Sequence, residues 1–380
     1  MPLGIENVLV TGGAGFIGSY IVDLLIEEGF NVSVFDNLEP QVHGSKQILP
    51  KYLNSAAKFL KKDMRVQEEL AEAISDVDAI FHQAAAVGVG QSMYQVSKYI
   101  HSNTLGTANL LDVLVNKDHN VKKLVVASSM SIYGEGRYIC EDCGPVSPKL
   151  RSTEQMKRKE WQLRCPKCEK IATPTPTNEE KPLNPTSIYA MSKHHQEEMC
   201  LLIGETYGIP TIALRYFNVY GPRQALSNPY TGVVAIFSSR ILNGNQPILY
   251  EDGNMKRDFI HVKDIAHANL LALKSNNADY RAYNIGTGTY ITIKDLAKLI
   301  LENYNSTISP VISNTFRIGD VRHCYADISL AKKYLGFIPR IKLTEGLKDL
   351  LQWVSELDKE QVVDKFDTAE AELEKKGLKV

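Results

Sequence analysis

Along the first third of the chain, short apolar runs alternate with stretches of helical spacing. Val8–Thr11 reads as a buried strand, followed by a glycine-rich turn. Phe16, Ile17, Tyr20, Ile21, Leu24 and Leu25 then recur on one helix face, and Gly29 marks its C-terminal end. Asn31–Phe35, Ala79–His82 and Lys123–Ser128 read as further strands. Another, Thr211–Arg215, follows a helical pattern that opens at Ile188. Strand–helix–strand alternation with short links predicts the α/β class, a doubly wound parallel sheet covered on both faces.

Three stretches depart from that rhythm. Residues 135–182 hold four cysteines, many charges and the alternating run Thr173–Thr177; too long for a connection and too polar for core, they read as an insert. From about residue 220 the segments shorten and Gly, Pro and Asn increase, as in a smaller ligand-facing α/β region. The tail carries Val362, Val363, Phe366, Ala369 and Leu373 at helical spacing among charges, and reads as a surface helix, packed or partly frayed. The expected division is 1–215 for the sheet with its insert, 216–355 mainly for the substrate, and 356–380 for a helical tail.

Composition narrows the function. The chain has 380 residues, 44% of them hydrophobic, enough for a large core. Lys+Arg is 43 against Asp+Glu 44, a net charge of −1, which leaves no electrostatic footprint for nucleic acid. No apolar run approaches the ~18 residues of a membrane helix. The N-terminus enters a strand with no secretory pattern, so the expected location is the cytoplasm.

Gly12, Gly15 and Gly18 follow a strand and open a helix. They suit a tight turn, a close backbone approach to pyrophosphate and a helix–strand contact, with the free N–H groups of the helix start facing the phosphates. Asp36 ends the second strand eighteen residues after Gly18, where a carboxylate accepts from a ribose 2′-hydroxyl and repels a 2′-phosphate. The expected cofactor is NAD rather than NADP. Asp63 is either an adenine contact or a solvated turn aspartate.

Tyr189 and Lys193 stand four residues apart, on one helix face. A phenol is a poor base at neutral pH, and a neighbouring ammonium lowers its pKa. Alone, such a pair is also ordinary helix surface. Ser128-Ser129-Met130-Ser131-Ile132-Tyr133-Gly134, however, ends a strand at its carboxyl edge, where doubly wound sheets bind ligands.

With the glycine turn, Asp36, the serine strand and Tyr-x-x-x-Lys in this order, the sequence resembles the extended short-chain dehydrogenase/reductase family, specifically its nucleotide-sugar epimerases and dehydratases. Tyr216–Arg223, Arg257–Asp264, Asn284–Gly286 and Gly319–His323 add to the resemblance, which covers nearly everything outside the insert. It implies a Rossmann-type fold in which Ser129 bonds the reacting hydroxyl, Tyr189 is the base and Lys193 its activator. It further implies that Gly12, Gly15, Phe16, Ile17, Gly18, Asp36, Asn37, Asp63, Met64, Ala84 and Asn103 bind cofactor with Tyr189 and Lys193, and that His82 lines the cleft beside Asn103. Val87, Ser129, Met130, Ser131, Asn218, Arg223, Arg257 and Arg322 are the implied substrate contacts. A homodimer through the helices beginning near Met93 and Ile188 is implied as well.

The family's dehydratases place Asp and Glu directly after the serine or threonine position, and its decarboxylases carry Glu where Ser131 stands. Met130 and Ser131 exchange no protons near neutral pH. Elimination and decarboxylation are therefore disfavoured, leaving oxidation and re-reduction at one carbon, a 4-epimerase. The insert and the run Ala84–Met93 are similar to a subgroup acting on dTDP-L-rhamnose. Val87, Val89 and Met93 there suit a methyl group at C6.

Cys140, Cys143, Cys165 and Cys168 form C-x2-C-x21-C-x2-C, close to the spacing of a tetrahedral four-cysteine zinc site. Four thiolates leave no open position, so the expected zinc is structural. A redox pair or reduced thiols are the other readings. The alternatives for the chain are a UDP-galactose-type 4-epimerase or, from a different class, a non-catalytic dinucleotide-binding regulator whose zinc ribbon holds a partner.

Overall fold

The structure, a computed structural model, describes residues 4–380, apart from the side chains of residues 359 and 360. Its centre is a seven-stranded sheet in the order Arg281–Ile285, Thr211–Tyr216, Lys123–Ser129, Ala79–His82, Asn7–Thr11, Asn31–Asp36, Lys58–Lys61. Every pairing in it is parallel. Val8, Val10, Phe81, Val125 and Leu214 are buried on one face, and Leu9, Phe35, Ile80, Leu124 and Val126 on the other. This accounts for the unbroken apolar runs: a strand covered on both sides has no solvent face to alternate with.

The order of strands reverses between Asn7–Thr11 and Ala79–His82, which pair with each other although two strands intervene in sequence. The glycine turn and Gln83–Ala86 leave this switch point, the place where open α/β sheets hold ligands. The expected division at 215 is not a single cut. Helix Val262–Lys274 packs on helix Phe16–Glu27, and strand Arg281–Ile285 completes the sheet edge, so the chain returns to the first unit after leaving it. The remainder builds a second core around Phe237, Leu249, Tyr250, Phe259, Leu296 and Leu350.

The insert has its own three-stranded antiparallel sheet, Gly144–Val146, Arg137–Cys140 and Thr173–Thr175. It leaves and returns at one point. The Asn184 N–H donates to the Ile132 carbonyl at 3.0 Å. Gly134 sits at φ +64° so close to Asn184 that a Cβ would lie 2.4 Å from its carbonyl oxygen. Because the ends touch, the strand Lys123–Ser129 and the helix Ile188–Tyr207 meet as they would across a short connection.

Candidate functional site

One large cavity of about 620 Å³ runs from the glycine turn to the second core. At one end Gly12, Gly15, Phe16, Ile17, Gly18, Asp36, Asn37, Asp63, Met64 and Ala84 line it. A Cβ on Gly18 would lie 2.2 Å from the Gly12 carbonyl oxygen, and one on Gly12 2.8 Å from the Ala84 backbone, so both positions exclude a side chain. Gly15 is the N-cap of helix Phe16–Glu27 and provides no side-chain cap, which leaves the first N–H groups free for an anion.

Asp36 is buried and accepts from the N–H groups of Leu38 at 2.8 Å and Ala14 at 3.1 Å. Burial raises its pKa against those bonds and the nearby His43. Burial also pushes Asp63 up, but hydrogen bonds from Arg65 and Asn37 outweigh it and hold the carboxyl at about 2. Asp63 thus stays ionised and anchors Asn37 at the cavity wall.

Midway stand Ser129, Tyr189 and Lys193. Ser187 caps the helix, its hydroxyl accepting from the Ala190 N–H at 3.1 Å, and Gly208 ends it in the left-handed region. The Tyr189 N–H donates to the Ser92 hydroxyl at 3.0 Å. Ser129 Oγ accepts from the Ser131 N–H at 3.2 Å and the Ser131 hydroxyl at 2.8 Å, so its own proton is free to donate. Burial raises the Tyr189 phenol, and a hydrogen bond from Ser129 works against that. Burial also brings Lys193 down to about 8, its ammonium donating to Gln196 Oε1 at 2.8 Å.

His82 and Asn103 were expected in the cleft, and neither lines it. His82 is buried below, bonded to Thr11 at 2.9 Å and Thr107 at 2.8 Å, and burial lowers its pKa to about 3. Asn103 sits in a π-helical turn, Ile100–Leu105. There its amide accepts from the Ala86 N–H at 2.7 Å and donates to the Ala86 carbonyl at 3.0 Å and Ser192 at 2.8 Å. It fixes the cavity-lining backbone at Ala86 rather than reaching the cavity itself.

Val87, Met130, Ser131, Asn218 and Arg257 reach the cavity; Arg223 and Arg322 do not. Arg223, at φ +69°, pairs with Asp23 at 2.7 Å and lies over the rings of Tyr20 and Tyr52. Arg322 is fully buried, gripping Asp252 through two bonds of 2.6 and 2.8 Å and Glu251 at 2.7 Å. These two carboxylates hold the guanidinium away from the cavity wall. A further cation at the cavity is Arg317, which sequence reasoning missed although it lies two residues before the quoted Gly319-Asp320. Phe237, Tyr250, Phe259 and Phe366 line the far end, and only Phe259 belongs to a motif. Ser128 Oγ and Asn218 Oδ1, both on the cavity wall, are buried without a protein partner, as befits atoms that await a ligand.

The four insert cysteines converge, their sulfur atoms all within 4.8 Å of one another. Tetrahedral Zn–S bonds of ~2.3 Å place sulfurs roughly 3.8 Å apart, so the set fits zinc. The Lys167 N–H points at Cys165 Sγ at 3.4 Å, favouring a thiolate there. The insert grips the cavity's far end: Arg151 donates to Glu251 at 2.7 Å and to the Asp320 carbonyl at 3.2 Å.

The chain matches the NAD dependent epimerase/dehydratase family over residues 8–153 and 166–286. It is 34% identical over 357 residues to a dTDP-L-rhamnose 4-epimerase of Burkholderia thailandensis, covering 93% of this chain and 96% of that one. A solved UDP-glucose 4-epimerase of Thermotoga maritima with UDP-glucose superposes with a TM-score of 0.74 at 31% identity, covering 92% of this chain and 99% of that one. A UDP-glucose 4-epimerase of Thermus thermophilus in complex with NAD does so with 0.70 at 30%, covering 93% and 100%. Matching motifs, sheet order and near full-length similarity agree: this chain belongs to the NAD dependent epimerase/dehydratase family.

Proposed function

We propose that the protein is an NAD-dependent nucleotide-sugar 4-epimerase acting on a dTDP-6-deoxyhexose such as dTDP-L-rhamnose. The observation that carries the reaction type is Ser129, Tyr189 and Lys193 assembled on one cavity wall with Met130 and Ser131, and no carboxyl, beside the serine. The glycine turn, the free helix start and Asp36 would hold NAD, which when bound takes the C4 hydride and returns it. The chain's residues do the rest. Ser129 holds the C4 hydroxyl, Tyr189 accepts its proton, and the 4-keto sugar presents its other face by rotating about its link to the diphosphate. Tyr189 then returns the proton to the new hydroxyl. Asn218, Arg257 and Arg317 face the anionic half of the substrate.

The dTDP-6-deoxyhexose reading is supported by the B. thailandensis relative and the apolar lip of Val87 and Val89. The Thermotoga structure with UDP-glucose favours the UDP-glucose/UDP-galactose reading. A nucleotide-sugar panel followed by NMR separates them: dTDP-L-rhamnose should be converted to its C4 epimer faster than UDP-glucose. Faster turnover of UDP-glucose overturns the sugar assignment, and no turnover of either overturns the enzyme reading in favour of a regulator.

Cys140, Cys143, Cys165 and Cys168 would hold one structural zinc. Metal analysis of protein purified under reducing conditions should find one zinc per chain, released by Cys165→Ser. Since Arg151 ties the insert to the Asp320 loop, that variant should raise KM more than it lowers kcat. Exposed Val96, Leu105, Met191 and Leu202 on the long helices support a homodimer, which sedimentation tests. No helix among the described residues is long and apolar enough to cross a membrane.

A further inference from the structure

The C-terminal helix Phe366–Lys375 was expected on the surface, yet one of its faces is cavity wall. Phe366, Ala369, Glu370 and Leu373, at i, i+3, i+4 and i+7, all line the cavity. We propose that this tail is a specificity-determining wall of the substrate site and that Glu370 is a positioning residue for Arg317. The proposal rests on reading the cavity as a nucleotide-sugar site, and assigns to the tail the grip on the nucleoside-diphosphate half and the room left for the sugar.

Three sets of contacts carry it. Tyr250 donates its hydroxyl to Glu370, which also pairs with Lys379 at 3.1 Å. The Arg317 guanidinium lies over the Tyr250 ring at 4.8 Å, and its Nε donates to Asp320 at 2.9 Å. Glu370 is buried with its charge engaged, so it braces the ring beneath the cation instead of opposing the substrate's phosphates. The chain end then pairs with the segment that bears Arg317. The Phe316 and Val380 N–H groups each donate to the other residue's carbonyl at 2.9 Å, and the Ile318 N–H donates to the Leu378 carbonyl at 2.9 Å. Finally, Leu373 crosses to the cofactor-side lip. A Cβ on Gly90 would lie 3.3 Å from a Leu373 methyl, so this side chain bounds the cavity beside Val89. Arg240 pins the helix start, over the Phe366 ring at 4.5 Å and on Asp367 at 2.9 Å.

The test uses the full-length holoenzyme and titration calorimetry with dTDP and UDP, which does not depend on knowing the sugar. Glu370→Ala should weaken both nucleotides roughly tenfold, with Glu370→Gln recovering much of it, because a hydrogen bond to a charged group is lost and then partly restored. NAD affinity should stay within about twofold, since Glu370 bonds to Tyr250 and Lys379 and not to the glycine turn. Should Glu370→Ala fail to fold, Tyr250→Phe keeps the ring and removes the bond, and should weaken dTDP in the same direction. Leu373→Ala should raise kcat/KM for an N-acetylated sugar relative to a 6-deoxy sugar by roughly tenfold, whereas simple loss of packing would lower both alike. If wild type binds dTDP but Glu370→Ala and Tyr250→Phe bind it equally well, the Glu370 assignment falls. If Leu373→Ala leaves the sugar ratio unmoved, the wall falls. If wild type binds neither nucleotide, the reading of the cavity falls and takes this proposal with it.

Discussion

The two ends of the cavity are built from different materials. The end at Gly12–Gly18 is built around backbone: a tight turn, a helix start and the end of a strand within the first forty residues, joined by Asp63, Met64 and Ala84 from the ends of two further strands. The far end is made of side chains from Phe237, Tyr250, Arg257, Arg317 and Phe366, brought together from separate stretches of chain. A backbone site needs particular residues only where a side chain would obstruct it, so it leaves a short glycine signature. A side-chain site needs only that tertiary packing deliver the right groups, and any stretch can supply them. On the function proposed above, one end would serve a cofactor shared across a family, and the other would be free to vary with the substrate.

The sharpest break of this comparison lies at the meeting point. Tyr189→Phe should lower kcat by about 10²–10⁴-fold, the usual worth of a general base, with NAD and nucleotide affinities unchanged. Steady-state rates and calorimetry check it; a variant keeping more than about a tenth of the rate sinks the base assignment.

Arg257 and Arg322 separate ligand work from scaffold work. Arg322→Met takes a buried cation from Glu251 and the half-buried Asp252 and should cost about 1.5–3 kcal/mol in urea unfolding. Arg257→Met should change stability little and raise KM for nucleotide sugar roughly tenfold. Arg257 is half-buried on the cavity wall, held through its Nη1 by the Arg322 carbonyl at 3.0 Å. A reversed pattern would restore Arg322 to the substrate.

The smallest effect concerns pH. Burial holds Lys193 near 8 instead of 10.5, so the buried ammonium is the disfavoured form. Below 8 the lysine is charged in both folded and unfolded chains; between 8 and 10.5 only the unfolded chain keeps the proton, so this group's contribution to stability rises with pH across that window. Activity should move the other way, kcat/KM falling as the ammonium is lost above pH ~8. A Lys193→Met variant should lose the alkaline limb, and a limb that persists assigns it to another group.

Much of this was legible in the residues. The apolar runs and the glycine turn specify a parallel sheet with a dinucleotide crevice because both are local statements, about strand burial and about backbone room. Ser129, Tyr189 and Lys193 were readable because a strand end and one helical turn place them, and the insert between them closes on itself at Gly134 and Asn184. The paired cysteines were readable for the same reason, each pair being a turn.

What only the tertiary structure decided is which charged and aromatic side chains face the cavity. Arg257 and Arg322 are equally basic in sequence, yet Glu251 and Asp252 bury one while the other stays on the wall. Arg317 had no motif of its own, and the tail gave only a helical period. Periodicity tells which face of a helix is apolar, but not whether that face meets a core or a ligand. The direction of a long side chain is set by partners distant in sequence, and spacing along the chain carries no information about them.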